Sequence, residues 1–254
     1  MENKKKEDND LVEKFFQERE LDIKKMGEDY KLKEKSLEWM LLADKYKYTY
    51  NFTWMGRPII KYPNDMVIQQ EIMWKVKPDL IIETGIAHGG SIIFSSSMMK
   101  MMDIEGEVVG IDIDIREHNK NQIINHKAYD RISMYEGDST NPNIIKKVEK
   151  HIKPYSKVMV ILDSNHSHKH VLKELEIYSR YVTKGSFCIL PDTFIEFFPK
   201  GYYSKDRPWD VGNNPYTAMK EFMKNNNKFK VSKFYSDKAN ITETIDGYLE
   251  RISL

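Results

Sequence analysis

The sequence predicts an α/β chain: a mostly parallel seven-stranded sheet with helices on both faces and a C-terminal antiparallel hairpin, preceded by a helical N-terminal extension. Three observations predict it. After Pro78, short apolar runs alternate with segments long enough to be crossover helices, which is the rhythm of a parallel sheet buried on both sides. Before Pro63, apolar residues recur at three- and four-residue steps, the period of an amphipathic helix. The tail then changes to one helix and two strands, so a terminal hairpin closes the sheet. A length of 254 residues suits one large domain with an appendage. The extension is placed at residues 1–62 and the main domain at residues 63–254.

The first ten residues, MENKKKEDND, carry almost no apolar surface and are expected to be disordered, because nothing offsets their ordering entropy. Over residues 11–50, Leu11, Phe15 and Phe16, then Leu37, Met40, Leu41 and Ala43, mark two charged amphipathic helices. Residues 46–63 are aromatic and broken by Gly56, Pro58 and Pro63. That predicts an ordered loop, packed on the main domain or lying as a lid over a substrate. Asn64 or Asp65 is placed to cap a helix that runs through Lys75 and stops at Pro78. Five buried strands follow at residues 80–83, 108–112, 132–136, 158–163 and 187–192. Helices separate them at 91–102, 116–126, 142–151 and 168–181. A loop over 199–214, a helix over 215–224 and strands at 229–235 and 244–252 complete the chain.

Composition narrows the function classes. Charge is balanced, 40 Lys+Arg against 39 Asp+Glu for a net +1, which offers no basic face, so no nucleic acid is expected as a partner. No uncharged apolar stretch approaches the roughly 20 residues of a membrane helix, so no membrane span is expected. The charged amino terminus lacks the apolar core of a secretory signal, and Cys188 alone permits no internal disulfide. Together these predict a reducing, cytoplasmic location.

In an open parallel sheet a ligand lies beyond the carboxyl ends of the strands, where strand order reverses. The first strand runs into Glu83-Thr84-Gly85-Ile86-Ala87-His88-Gly89-Gly90-Ser91. Glycines there let the backbone turn sharply and approach a ligand, and the following helix points its amides at the same place. The spacing is GxxxGG, unlike the GxGxxG of dinucleotide folds. Glu83 would repel a phosphate but pair with an ammonium. The loop carrying Glu83, Thr84, Gly85, Gly89, Gly90 and Ser91 therefore suits a nucleoside that bears an amino acid, the alternative being a plain glycine-rich strand-to-helix turn. Asp112, at the second strand end, is placed to accept hydrogen bonds from a ribose diol. At the third, Asp138 and Ser139 would meet an adenine edge or cap the next helix, and Asn141 is a further cap candidate.

The fourth strand ends in Asp163-Ser164-Asn165-His166-Ser167-His168-Lys169-His170, and the fifth in Pro191-Asp192-Thr193. Asp163 and Asp192 come from neighbouring strand ends. Two unpartnered carboxylates repel, so they are expected to face each other across a divalent cation, magnesium or manganese. His166 would reach anything bound to that metal, whereas His170 is expected to face solvent or packing. An iron site built from Asp163, His166 and His168 would require the loop to curl tightly.

The motifs ETGIAHGGS, GIDIDIREHN, EGDS, LDSNHSHKHVLKEL and PDT, in that order over about residues 62–193, resemble the cephalosporin hydroxylase-like family. That family includes rhamnosyl and macrolide sugar O-methyltransferases that use S-adenosylmethionine. The resemblance implies a Rossmann-like methyltransferase fold, with residues 63–254 as the S-adenosylmethionine-binding domain. It implies that the loop from Glu83 to Ser91 holds the methionine part, that Asp112 holds the ribose and that EGDS lies by the adenine. Asp163 and Asp192 would hold Mg²⁺ or Mn²⁺, with Asp163 also beside the donor and His166 acting as the catalytic base. The chain departs from the pattern at Pro191, where the family commonly has Glu as a third ligand, so either water or a neighbouring group completes the shell or metal binding is weakened.

The implied reaction is in-line displacement at the sulfonium methyl by a sugar hydroxyl, the sugar being free or a sugar nucleotide for cell-surface polysaccharide biosynthesis. Aromatic segments at residues 46–62 and 202–209 suit a sugar ring, and Arg57, Lys205 and Arg207 its phosphates. Two alternatives stand beside it. A metal- or nicotinamide-dependent oxidoreductase or hydroxylase is disfavoured by the glycine spacing, and a non-catalytic cofactor-binding subunit by the intact His and Asp positions. A homo-oligomer, paired through the N-terminal helices, is expected.

Overall fold

The computed structural model describes residues 2–152, 157–203 and 207–253. Two helices lead, α1 (Glu2–Glu28) and α2 (Tyr30–Asp44), and Asp29 caps the second by accepting a hydrogen bond from the Leu32 amide at 2.9 Å. The helix begins at Glu2, not after ten disordered residues. Lys and Glu are good helix formers, and they prolong a helix already started further along. Most of the apolar residues of α1 are not spent on burial, since Leu11, Val12, Phe15 and Leu21 each stay more than half exposed, although Ile23 is buried.

The segment expected to be a loop contains a small hairpin, β1 (Phe52–Trp54) and β2 (Arg57–Ile59). Met55 and Gly56 both take left-handed backbone, with φ of 47° and 84°, which is the turn that suits the twist of a two-residue hairpin. Trp54 Nε1 donates to Ser97 Oγ at 2.8 Å, fastening the hairpin to the helix over Gly90–Met101. The next helix, α3 (Pro63–Val76), starts with proline at its first position and has no side-chain cap. Asp65 does not cap it. It is buried and accepts from the Glu243 amide at 2.9 Å, from Tyr248 Oη at 2.8 Å and from the Thr242 hydroxyl.

From there strands and helices alternate: β3 (Leu80–Thr84), α4 (Gly90–Met101), β4 (Glu107–Asp112), α5 (Glu117–Ile124), β5 (Ile132–Glu136), α6 (Pro142–Glu149), β6 (Val158–Leu162), α7 (His168–Tyr178) and β7 (Phe187–Ile189). The tail adds α8 (Pro215–Lys224), β8 (Phe229–Val231), α9 (Lys233–Ala239) and β9 (Tyr248–Arg251). The expected strand over 229–235 is cut short. Phe234 and Tyr235 fall in α9, where Tyr235 is buried against Phe187 and Tyr248, and α1 packs along the same helix.

The seven strands are ordered β5-β4-β3-β6-β7-β9-β8, and only β9 runs against its neighbours. Runs such as Val158–Leu162 are buried along their whole length because helices cover both faces. One core gathers Ile72, Ile81, Ile93 and Met159, and the opposite one gathers Ile82, Val160, Leu175 and Met219. A third cluster, Met40, Tyr62, Phe194 and Phe198, ties α2 to the chain that follows β7. No helix among the described residues is long and apolar enough to cross a membrane. Sequence order turns back at β3, which lies between β4 and β6, so the crevice for a ligand falls at the carboxyl ends of β3 and β6.

Candidate active site

A cavity of about 630 Å³ opens at that crevice. Gly85, Gly90, Ser91, Asp112, Asp138 and Ser139 line it, as do Asp163, His166 and Asp192. Thr84 and Gly89, also expected in the site, are not among the lining residues, and the Thr84 side chain is buried within the sheet. The glycines act first on the protein itself. A Cβ on Gly85, whose φ is +91°, would sit 1.9 Å from the Asp163 carbonyl oxygen, and one on Gly90 would sit 2.1 Å from the Pro58 carbonyl oxygen. The turn thus closes β3 against β6 and α4 against β2, in addition to any approach to a ligand.

Glu83 is fully buried, lines the cavity, and has neither carboxylate oxygen hydrogen-bonded among the described residues. Burial pushes its carboxyl up to about 7, against the pull of Lys61. A buried carboxylate with unused lone pairs beside a cavity is a natural seat for a cationic ligand group. Asp112 holds the glycine loop: its Oδ2 accepts from the Ile86 and Ala87 amides at 2.7 and 3.0 Å, and its Oδ1 from the Asp114 amide at 3.1 Å. Asp138 accepts from the Thr140 amide at 2.7 Å and its hydroxyl at 2.8 Å. Burial disfavours its ionised form, but these two bonds outweigh burial and hold it below its ordinary value.

Ser139 does not cap α6. Its hydroxyl donates to Glu174 Oε1 at 2.5 Å, and Asn141 is the cap, accepting from the Asn143 amide at 2.8 Å. His170, expected to face solvent or packing, lines the cavity instead, its Nε2 lying 3.1 Å from Ser164 Oγ and 3.3 Å from Ser139 Oγ.

Asp163, His166 and Asp192 converge. Each offers one donor atom, and the three atoms lie within 4.8 Å of one another, with His166 Nε2 at 3.1 Å from Asp192 Oδ2. Two carboxylates and an imidazole form a donor set that fits a divalent cation. Asp192 takes left-handed backbone, φ 58°. Burial raises its carboxyl, His166 opposes the rise and Asp163 adds to it. The imidazole is seated edge-on to Trp209, ring centroids 4.7 Å apart. His168 is not part of this set, because its ring nitrogens face Thr217 Oγ1 at 2.8 Å and Glu221 Oε2 at 3.1 Å. The two-histidine iron arrangement is therefore not assembled.

Sequence reasoning missed Lys61. This buried ammonium lies 3.2 Å from Asp163 Oδ2 and 3.0 Å from Glu243 Oε1. Burial alone would lower its pKa, but Asp163 and Glu243 outweigh that and hold it well above the ordinary lysine value. A lone lysine within Ile59-Ile60-Lys61-Tyr62 was a visible signal. Glu243 carried none, since only the fold brings it there. Lys61→Met is expected to cost about 3–5 kcal/mol in urea unfolding, because it strands two carboxylates that share one cation. A loss below about 1 kcal/mol, the scale of an exposed pair, would contradict this.

Of the cations expected to meet phosphates, Arg57 is buried in contacts to the protein, Arg207 lies over Trp209 at 5.4 Å and lines the cavity, and Lys205 lies outside the described residues.

The sequence matches the family model described as Rhamnosyl O-methyltransferase/CmcI over residues 46–252. The rhamnosyl O-methyltransferase of Mycobacterium leprae is 31% identical over 154 residues, 58% of this chain and 62% of that protein, so the chain spans less than two thirds of that relative. Those of Mycobacterium bovis and Mycobacterium tuberculosis are each 27% identical over 205 residues, 78% of this chain and 78% of theirs. Among solved structures, a CmcI with Mg-SAM is similar at a TM-score of 0.56 and 18% identity, over 80% of this chain and 78% of that one. A CmcI with SAH is similar at 0.56 and 20%, over 80% and 83%. At such identities the structural likeness is one of fold.

Proposed function

We propose, from the premise that the chain belongs to the Rhamnosyl O-methyltransferase/CmcI family, that it transfers the methyl group of S-adenosylmethionine to a sugar hydroxyl with the help of Mg²⁺ or Mn²⁺. The observation that carries this reading is that one cavity contains both the unpartnered carboxylate of Glu83 and the cluster of Asp163, His166 and Asp192. Glu83 would hold the ammonium of the donor, Asp112 its ribose, and Asp138, Ser139 and His170 its adenine end.

A free alcohol is a poor nucleophile near neutral pH and must lose its proton as the new bond forms. A cation held by Asp163 and Asp192, with His166 beside them, would lower the pKa of that hydroxyl. His166 takes the proton as the oxygen–methyl bond forms and the sulfur–methyl bond breaks. Trp209, Tyr203 and Tyr50 give the acceptor end of the cavity aromatic faces for a sugar ring, and Arg207 suits the phosphate of a sugar nucleotide. The mycobacterial relatives' names support a sugar acceptor. A sugar nucleotide for cell-surface polysaccharide, methylated in the cytoplasm by a homo-oligomer, is the finer form of this proposal.

Calorimetry with S-adenosylhomocysteine and with NAD, each with and without Mg²⁺, tests it, followed by labelled methyl transfer to a panel of sugar nucleotides. Binding of the homocysteine product but not of NAD is expected. Tight NAD binding without the product would overturn the reading.

Glu83→Gln separates stability from donor binding. Between the ordinary carboxylate range and about 7, the folded chain keeps a proton on Glu83 that the unfolded chain releases. Its contribution to stability is therefore lost as pH rises through that window, reaching about 3 kcal/mol above it. The glutamine variant is expected to be about 1–3 kcal/mol more stable at pH 8, yet to bind S-adenosylmethionine more weakly. Urea melts at pH 8 beside calorimetry check both halves, and unchanged donor affinity would remove Glu83 from the site.

A further inference from the structure

Arg57 is only 5% exposed, yet among the described residues all its hydrogen bonds go to uncharged oxygens. Nε and Nη2 both donate to the His88 carbonyl, at 3.0 Å from Nε. Nη2 also donates to Asn119 Oδ1 at 3.1 Å, and Nη1 donates to Gln122 Oε1. A buried cation without an anion is unfavourable by itself, so what it joins matters. It joins β2, the glycine loop and α5.

Asn119 continues the connection, its Nδ2 donating to the Ala87 carbonyl at 3.2 Å. With Asp112 on the amides of Ile86 and Ala87, the backbone of three consecutive loop residues is held from outside the loop. That loop needs holding. Ala87, which is not glycine, takes left-handed backbone at φ 44°, and Gly89 follows at 84°. Such backbone persists only where its surroundings over-determine it. Arg57 is not among the residues that line the cavity, so it acts through the loop.

We infer that Arg57, through Asn119 and the His88 carbonyl, is a positioning residue that sets the glycine loop in its donor-binding shape before the donor arrives. The inference rests on the donor site proposed above. A ligand that meets a preformed loop avoids the affinity loss set by the fraction of molecules in the competent shape.

Arg57→Ala is expected to raise the dissociation constant for S-adenosylhomocysteine by about 10–100-fold, while kcat at saturating donor stays within about twofold and KM for the donor rises with the dissociation constant. Asn119→Ala should move the same way by less. Arg57→Lys keeps the charge but cannot reach three oxygens at once, so it should fail to restore affinity. Amide exchange at residues 86–88 of the ligand-free variants should quicken.

Calorimetry is done below the melting temperature of each variant. If Arg57→Ala does not fold, Arg57→Lys and Asn119→Ala decide. Folded variants that bind the product as the parent does, with only a lowered melting temperature, overturn the positioning role of Arg57 and leave the donor site standing. A parent protein that binds no S-adenosylhomocysteine overturns the donor site and the positioning role together.

Discussion

His166→Ala is expected to lower turnover by about 10²–10⁴-fold, the usual worth of a positioned general base, while S-adenosylhomocysteine binds as before. The ring is held on two sides, by Asp192 Oδ2 at 3.1 Å and by the edge-on Trp209. Such restraint suits a group that must meet one proton in one place. If Asp192 accepts from Nε2–H, the lone pair is left on Nδ1, and the carboxylate stabilises the imidazolium formed on proton uptake. The same geometry permits a second role, because His166 also completes a three-donor set with Asp163 and Asp192.

The metal dependence of the variants separates the two roles. A base leaves the Mg²⁺ concentration for half-activation unchanged when it is removed, so only kcat falls. A ligand shifts that concentration upward, together with the shifts expected for Asp163→Ala and Asp192→Ala. A ligand role would also favour Mn²⁺ over Mg²⁺, since imidazole suits the softer ion better. Unaltered turnover by His166→Ala on its true acceptor would eliminate both roles.

The sequence made the strand ends legible and left their cross-connections hidden, for a physical reason. Runs such as Val158–Leu162 are buried on both faces, so their composition alone announced central strands. The acids that follow neighbouring strands, Asp163 directly after β6 and Asp192 three residues after the end of β7, had to emerge on one edge of the sheet. What decides the chemistry within that edge is contact across long separations. Lys61 reaches Asp163 across 102 residues and Glu243 across 182, and no local pattern encodes those distances. Arg57 looked like a phosphate ligand because an isolated arginine in an aromatic loop resembles a surface cation. The Met55-Gly56 turn instead folds it inward as part of β2. His170 is hidden for the opposite reason: within the first turn of α7, its face is assigned only once Ser139 and Ser164 are in place beside it.

Gly85→Ala is expected to be as damaging as Lys61→Met, costing about 3–5 kcal/mol in urea unfolding from steric overlap and left-handed backbone combined. The added Cβ would lie 1.9 Å from the Asp163 carbonyl oxygen and 2.6 Å from its carbon. Neither is the tip of a side chain that can swing away. Both neighbours are fixed, because the Asp163 amide donates to the Thr84 carbonyl at 2.9 Å and the Gly85 amide to the Ile111 carbonyl at 2.7 Å. Relief therefore requires β3 and β6 to part at their carboxyl ends, which moves Glu83 away from Asp163.

Gly185→Ala supplies the comparison: its φ is +81° and nothing lies within 4 Å of the added carbon. Only the left-handed backbone is penalised there, about 1–2 kcal/mol. At about 2–4 °C per kcal/mol for a chain of this size, the two variants should be well separated in melting temperature. Product affinity should fall only in Gly85→Ala. Equal losses of stability at the two positions would mean that backbone conformation, and not the contact between strand ends, sets the requirement for glycine, and the close approach of β3 to β6 would then carry no weight in shaping the site.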